Sequence, residues 1–343
     1  MANPSEMTPD SLSNAAPRLV YLDTNVYSAI ADALNMLEVG VLPDALKNLG
    51  VAVGVSPVNL WEIVATENGP RREDLVWVAQ HISPVGLLVE VEEIIAAHAA
   101  EVVGDDRVAH LWPRSNWSAS HLAREWELTR HEKARTISLT EGAPWLKAMK
   151  ESQRLLHAVA SRGLGDLAFA RAVGRAMAKA KRSPEPDAYA KALRKESKAI
   201  TSKRPPRYAD RYEEVAAMVA SKVFIGLTPY PDPIDEFWSC LGVDSALDKA
   251  VFISEKLTPM FWDGPLMALA AVTEEQSRAR YKPGNWFDAY HLQYLQVLPE
   301  MLTLDHPLID LCHRQPEGSR LVTNVHDARP FVEAVVREVR ALS

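Results

Sequence analysis

The stretch Leu19-Val-Tyr-Leu-Asp-Thr-Asn-Val26 joins a short apolar run to a polar corner and then to a helix-like segment that reaches Val39. Apolar β-forming residues followed by a polar N-cap predict a strand at 19–22 and a helix at 26–39. A second strand followed by a helix is predicted next, where the apolar run Val51-Ala-Val-Gly-Val55 precedes Ser56-Pro57. Serine is a good N-cap and proline suits the first helical turn, so a helix that carries Glu62 is predicted there.

The carboxyl-terminal part of the chain alternates in the same way. Asn285 is the predicted N-cap of a helix through Asp288, and Met301-Leu-Thr-Leu304 has the composition of a strand. The remaining expected elements are a short helix at 308–313, a strand at 320–323 and a last helix that contains Phe331, Val335, Val336 and Val339. Strands that alternate with helices predict an α/β fold with a central parallel sheet.

The middle of the chain has a different pattern. Its apolar spacing is helical, with runs at 75–80, 90–103, 155–177, 212–223 and 266–280 and proline-rich breaks at 183–186 and 205–206. The polar residues 1–17 read as a disordered lead-in. We therefore predict a discontinuous α/β domain at 18–67 and 283–343, which is interrupted by an all-helical insertion domain at 68–282.

Composition narrows the class of protein. The chain has 343 residues, 47% of them hydrophobic, with two cysteines, Cys240 and Cys312. No apolar run approaches the ~18 residues of a membrane span, and two cysteines are too few for a disulfide framework. These observations predict a soluble cytoplasmic protein with no membrane partner.

Charge is distributed unevenly along the chain. The net charge is −7, yet residues 171–207 hold twelve Lys or Arg against three acids. A basic segment can contact phosphates, whereas a solvated helical face is the plainer interpretation, and both remain open. The candidate nucleic-acid contacts are Arg171, Arg175, Lys179, Lys181, Arg182, Lys191, Arg194 and Lys195.

Four acids, Asp23, Glu62, Asp288 and Asp305, lie where predicted strands and helices meet. The functional crevice of an open parallel sheet lies outside the carboxyl ends of its strands, so we expect the four to converge. Clustered carboxylates repel one another unless a cation binds them, and hard cations prefer oxygen ligands. The pattern predicts a Mg²⁺ or Mn²⁺ site for phosphodiester hydrolysis.

Other hydrolytic motifs are missing from the sequence. There is no Gly-x-Ser-x-Gly elbow, no Gly-x-x-x-x-Gly-Lys-Ser/Thr loop and no Cys-x-x-Cys pair. A side-chain nucleophile of these kinds is therefore excluded, in agreement with metal-activated water.

Four segments in order resemble the PIN-domain nucleases: Val20–Val26, Val55–Ile63, Phe287–Leu292 and Leu302–Asp305. The resemblance implies an α/β/α sandwich and a Mg²⁺- or Mn²⁺-dependent endoribonuclease that cuts single-stranded RNA. By motif position Asp23, Glu62, Asp288 and Asp305 are then the catalytic, metal-binding acids. Asn25 resembles the partner that orients the first acid, and Thr303 resembles the hydroxyl residue before the last.

The chain departs from this family in two places. The long insertion separates Glu62 from Asp288, which common members place a few tens of residues apart. Pro307 stands where many relatives carry another acid, so the number of bound metal ions, one or two, remains open. The insertion could select substrates or bind a protein regulator. Nucleases of the resembled fold often act as dimers, so a homodimer is a further possible partner.

Alternative interpretations accompany these predictions. Asp23 and Asp288 could each serve only as helix N-caps, and Glu62 could be a solvated helix residue. His291 and His306 lie beside acids, and for them we favour local hydrogen bonding over a mixed carboxylate and imidazole site.

Two other functions compete with the nuclease. The first is a catalytically weak scaffold of the same fold that binds nucleic acid or protein through the helical insertion. The second is a phosphatase of the haloacid-dehalogenase type, which requires Asp-x-Asp after the first strand and is disfavoured because Asn25 replaces the second acid.

Overall fold

The computed structural model describes residues 17–64, 66, 69–82, 88, 91–109, 142–203, 233–257, 270–271, 274, 288, 290–296, 298–314 and 324–343. Several expectations lie outside the described residues: the lead-in at 1–16, the helix at 212–223, most of the helix at 266–280, the breaks at 205–206, the N-cap Asn285 and the strand at 320–323.

A parallel sheet forms the centre of the described structure. Its strands are β1 (Arg18–Leu22), β2 (Val51–Gly54), β3 (Met301–Thr303) and β4 (Val325–Asp327), in the order β2-β1-β3-β4. Every neighbouring pair is parallel, and Tyr21 pairs with Gly54 on one side and with Met301 on the other. The predicted α/β class and parallel sheet are confirmed.

Helices connect and follow the first two strands. They are α1 (Thr24–Ala33), α2 (Met36–Gly40) and α3 (Leu42–Asn48) before β2, then α4 (Pro57–Val64) and α5 (Gly69–Ile82) after it. The predicted start of α4 is confirmed, because Ser56 Oγ accepts a hydrogen bond of 3.1 Å from the Asn59 N–H in the first turn.

The single helix predicted at 26–39 was wrong, because two helices occupy this stretch. Asn35 caps α2 through Oδ1, which accepts from the N–H groups of Leu37 and Glu38. Glu38 Oε2 accepts from the Asn35 N–H at 2.7 Å and completes a capping box. The Asn-x-x-Glu spacing that signals this break is present in the sequence.

The later elements are mostly helical. They are α6 (Val91–Val103), α7 (Gly142–Ala160), α8 (Asp166–Ala180), α9 (Ala188–Lys203), α10 (Pro233–Leu241), α11 (Ala246–Lys256), a 3₁₀ helix (Leu292–Gln296), α12 (His306–His313) and α13 (Arg329–Leu342). Within the described ranges no helix has the length and apolar character needed to cross a membrane.

The helical run predicted at 155–177 is divided between α7 and α8. Gly163 has a φ of 59°, a left-handed conformation that glycine adopts without strain. The N–H of Gly163 donates to Ala160 O and the N–H of Leu164 donates to Val159 O. This is a Schellman motif, which ends α7 by satisfying its last carbonyl groups.

The sheet separates two hydrophobic cores. Val20, Leu22 and Leu302 belong to the core formed with α1, α3, α5 and α13. Tyr21, Met301 and Val325 belong to the other, which the described helices from α6 to α11 share with the residues around the 3₁₀ helix and α12. Successive strand residues point to opposite faces, so this alternation follows from the strand geometry.

The packing of the insertion bears on the predicted domain boundaries. α5 falls within 68–282, yet its Leu75, Val78, Ala79 and Ile82 join the core that contains Val20 and Leu22. The helices from α6 to α11 share a core with the other sheet face. The boundaries at 67/68 and 282/283 stay predictions, but the insertion supplies a helical layer to each side of the sheet.

A buried carboxylate joins α8 to α9. Glu196 is 6% exposed and accepts hydrogen bonds from Arg175 at 2.9 and 3.0 Å and from Lys179 at 2.5 Å. Burial alone raises the pKa of Glu196, but the bonds from Lys179 and Arg175 outweigh it and hold the pKa below its ordinary value. The folded state therefore favours the ionised carboxylate.

We expect Glu196→Gln to lower the free energy of unfolding at pH 7 by about 1–2 kcal/mol, because both cations are half-exposed and only the acid is buried. The lowered pKa means that the carboxylate stabilises the fold above the ordinary pKa of 4.5 and loses this effect as pH falls through the folded value. Urea unfolding of the parent chain and the variant at pH 7 and near pH 3 measures the loss of stability and its dependence on pH.

The matched control is Glu185→Gln, since Glu185 pairs with Lys191 on the surface, where both side chains are more than half exposed. No measurable loss is expected for it. Equal losses in the two variants, or a deficit in Glu196→Gln that persists unchanged at low pH, would contradict this account.

Candidate metal centre

The order of the strands places a crevice beside β1 and β3. From β1 the chain crosses to β2 on one side, and from β3 it crosses to β4 on the other. Connections that diverge from two adjacent parallel strands open a crevice at their carboxyl ends, where ligands bind in open α/β sheets. Asp23 directly follows β1, and Asp305 lies two residues after β3.

Asp23 is a buried carboxylate with a defined orientation. It is 5% exposed and stands at the N-cap position of α1 without making a side-chain cap bond. Instead its Oδ2 accepts from Asn25 Nδ2 and from Thr303 Oγ1, both at 2.6 Å. The N-cap alternative is therefore wrong for Asp23, and its Oδ1 is directed toward His291, 3.5 Å from Nε2.

Asn25 and Thr303 tie the ends of β1 and β3 together around Asp23. Asn25 Nδ2 also donates to Thr303 Oγ1 at 3.1 Å, and Asn25 Oδ1 accepts from the Leu304 N–H at 3.0 Å. Thr303 Oγ1 accepts in turn from the Asp305 N–H. Asn25, named from the sequence as the partner of the first acid, thus contacts it, and so does Thr303, which was named only as the hydroxyl residue before the last acid.

Glu62 on α4 contacts His291, which also lies beside Asp23. Its Oε2 lies 2.8 Å from His291 Nε2, and its side chain is 24% exposed. His291 itself is fully buried, and its other ring nitrogen, Nδ1, lies 2.5 Å from Tyr21 Oη. Local hydrogen bonding, which we favoured for His291, does not describe these contacts, because both partners are distant in sequence.

Asp288 precedes His291 by one helical turn and belongs to the same electrostatic group. Burial, together with the charges of Asp23, Glu62 and Asp305, raises the pKa of Asp288 to about 8, although the charge of His291 acts in the opposite direction. Like charges have this effect only at close range. Among the described residues, the ligand atoms that lie within 4.8 Å of one another come from Asp23, Glu62 and His291, so Asp288 and Asp305 add charge to the group but do not join this cluster.

Asp305 has a second role in the fold. Its Oδ1 accepts from the Leu308 N–H at 3.0 Å, so its side chain caps α12. His306, the other histidine named from the sequence, is exposed in the first turn of α12. Asp305 thus stands at the outer side of the cluster, whereas Asp23 stands at its buried side.

The electrostatics of the cluster favour a neutralising positive charge. Burial raises the pKa of Asp23, and the charge of Glu62 adds to it, although His291 and Thr303 act in the opposite direction. Burial lowers the pKa of His291, but the carboxylates of Glu62, Asp23 and Asp288 outweigh it and raise that pKa. A cation beside Asp23 would lower the pKa of Asp23 by favouring its carboxylate, and it would lower the pKa of His291 by repelling the imidazolium.

The donor atoms suit a metal ion. Among the described residues Asp23, Glu62 and His291 each offer one ligand atom, and these atoms lie within 4.8 Å of one another. No protein-family model, curated protein or solved structure matches this chain. The likeness to PIN-domain nucleases therefore rests on the motifs, and the functional roles of the site residues stay predictions.

The candidate nucleic-acid contacts on α8, on α9 and in the turn between them divide into two groups. Arg175, Lys179 and Lys191 form ion pairs with acids of the same helical region. The other five are exposed, and no ion pair joins them to the described part of the chain: Arg171, Lys181, Arg182, Arg194 and Lys195. Tyr189 on α9 packs against the hydrophobic core.

Sequence reasoning missed a chain of buried polar groups behind His291. Tyr21 Oη lies 2.7 Å from Ser56 Oγ, which lies 2.9 Å from Asn59 Oδ1. Tyr21 stands in an apolar strand, and Ser56 and Asn59 begin a helix, so each has an ordinary local explanation. The only sequence signal was polar residues inside otherwise apolar runs.

We expect Thr303→Val to lower the free energy of unfolding by about 1–3 kcal/mol, because it removes a donor to a buried carboxylate and the acceptor for the Asp305 N–H. Valine preserves the volume, so the effect reports the hydroxyl. Urea unfolding at pH 7 measures it. Thr201→Val is the control, since Thr201 is exposed on α9; equal stabilities of both variants and the parent chain would refute the role of Thr303.

Proposed function

We propose that this protein is a divalent-metal-dependent endonuclease that hydrolyses phosphodiester bonds of single-stranded RNA. The observation that carries the proposal is the convergence of ligand atoms from Asp23, Glu62 and His291 outside the carboxyl ends of the parallel strands. The ordered likeness of four motifs to PIN-domain nucleases supplies the reaction and the substrate class.

The residues present fit a hard divalent cation. Asp23 Oδ2 is occupied by two donors while Oδ1 remains directed into the cluster, and Glu62 is partly exposed at its mouth. Asp288 and Asp305 add negative charge around the same position. Carboxylate ligands supported by hydrogen bonds from neighbouring residues are typical of Mg²⁺ and Mn²⁺ sites.

A bound divalent metal supplies an activated water and charge stabilisation for displacement at phosphorus. Asp23, held by Asn25 and Thr303, would hold the metal from the buried side. Glu62 and Asp288 would complete the ligand set, and Asp305 would orient groups at the outer side while it caps α12. No side-chain nucleophile is required for this reaction.

The exposed basic residues of α8, of α9 and of the turn between them are candidate contacts for the RNA backbone. Phosphate contacts of this kind give affinity that falls with salt. We also propose a cytoplasmic location. A homodimer, or a protein regulator bound through the insertion, is compatible with the proposed function.

One observation favours a second candidate, a catalytically weak scaffold that binds nucleic acid or protein. His291 contacts both Asp23 and Glu62, so a protonated imidazole can neutralise the carboxylates without a metal. Such a protein would keep the fold and the charge cluster but would not cut RNA.

The two candidates differ in a direct assay. We expect cleavage of a mixed single-stranded RNA pool with Mn²⁺ or Mg²⁺, no cleavage in EDTA, and a rate at least about 100-fold lower for Asp23→Asn, because this change removes a ligand charge. Gel analysis of end-labelled RNA measures the rate, and circular dichroism establishes that the variant is folded.

Asp310→Asn is the matched control, because Asp310 is an exposed acid on α12 and lies outside the cluster. It is expected to cut at the rate of the parent chain. Absence of cleavage by the parent chain with either metal, over RNA pools of different composition, would favour the scaffold.

A further inference from the structure

The hydrogen atoms in the buried polar chain behind His291 can be assigned from backbone groups. Asn59 Oδ1 accepts from the Ser56 N–H at 3.0 Å, and Asn59 Nδ2 donates to Leu22 O at 3.0 Å. A backbone N–H can only donate and a carbonyl can only accept, so the Asn59 amide has one orientation.

The assignment continues outward from Asn59. Ser56 Oγ lies 2.9 Å from Asn59 Oδ1, and two oxygens at this distance repel unless a hydrogen lies between them, so the serine hydrogen points to Asn59. Ser56 Oγ then accepts from the Tyr21 hydroxyl at 2.7 Å. Tyr21 Oη has no further hydrogen, so it accepts from His291 Nδ1–H at 2.5 Å.

The result is a proton on Nδ1 of His291. The protonated ring then donates Nε2–H to Glu62 at 2.8 Å, whereas the neutral ring presents the lone pair of Nε2 to a cation among the carboxylates. Tyr21, Ser56, Asn59 and His291 are all fully buried, so water does not compete for these bonds. A histidine that ligates a metal commonly donates its other N–H in this way, which fixes the ring and its tautomer.

The distances agree with a shared ion. Adjacent ligands at about 2.1 Å from an octahedral metal lie about 3 Å apart. His291 Nε2 lies 2.8 Å from Glu62 Oε2 and 3.5 Å from Asp23 Oδ1, which brackets this separation. A cation among the carboxylates also favours the neutral form of the ring.

We propose that His291 Nε2 is a ligand of the divalent metal beside Asp23 and Glu62, and that Tyr21, Ser56 and Asn59 hold it in the ligating tautomer. This inference rests on the proposed function, since it specifies the metal site of that reaction. A site of mixed imidazole and carboxylate ligands binds Mn²⁺ in preference to Mg²⁺, because imidazole suits transition metals and Mg²⁺ prefers oxygen.

The first test is pulsed electron paramagnetic resonance of the full-length protein with bound Mn²⁺. A directly bound imidazole gives nitrogen hyperfine coupling. We expect this coupling in the parent chain and in His313→Gln, whose histidine is exposed at the end of α12, and we expect its loss in His291→Gln.

The second test is calorimetric titration with Mn²⁺ and with Mg²⁺. We expect His291→Gln to weaken Mn²⁺ binding about tenfold or more and Mg²⁺ binding by less than about threefold, so that discrimination between the metals falls. A merely unfolded variant would lose both metals alike. Tyr21→Phe keeps the stacking on Tyr294 and is expected to weaken Mn²⁺ binding about tenfold as well.

The outcomes separate this inference from the nuclease proposal. Bound Mn²⁺ without nitrogen coupling, no Mn²⁺ binding by the parent chain, or an unchanged metal preference in His291→Gln would overturn the ligand assignment. In each of these cases, cleavage of RNA by the same sample would still support the nuclease proposal. Nitrogen coupling without cleavage of any RNA would support His291 as a metal ligand and contradict the nuclease proposal.

Discussion

The pairing of β1 with β3 is the contact on which the site depends. It brings the residue after β1, Asp23, against Thr303 at the end of β3, although most of the chain separates them. Asn25 joins the same bonds and extends them to the Leu304 N–H. A buried carboxylate is costly unless donors surround it, so these bonds stabilise the fold and orient Asp23 together.

The site concentrates negative charge in a place that the fold makes apolar. Asp23 and Asp288 have raised pKa values because burial and neighbouring acids both oppose ionisation. His291 reduces this cost through its contacts with Asp23 and Glu62. Replacing buried charges by hydrophobic residues is often neutral or stabilising, so a cluster of this kind is a candidate functional site.

The helical insertion contributes to this arrangement through packing. Its described helices from α6 to α11 share a hydrophobic core with Tyr21 and Tyr294, the aromatic residues beside His291. The face of the sheet that carries Tyr21 is therefore covered by residues from the middle of the chain. This cover keeps water away from the bonds that set the orientation of His291.

The sequence alone determined the α/β class, the parallel sheet and most elements near the site, because strand and helix patterns and N-caps such as Ser56 are local. It also named Asp23, Glu62, Asp288 and Asp305, because Asp23 and Asp305 follow predicted strands and Glu62 and Asp288 lie in predicted helices next to strands. Only the tertiary structure decided that His291 and Tyr21 belong with them. Their roles depend on contacts between residues far apart in the chain, and no local pattern encodes such contacts.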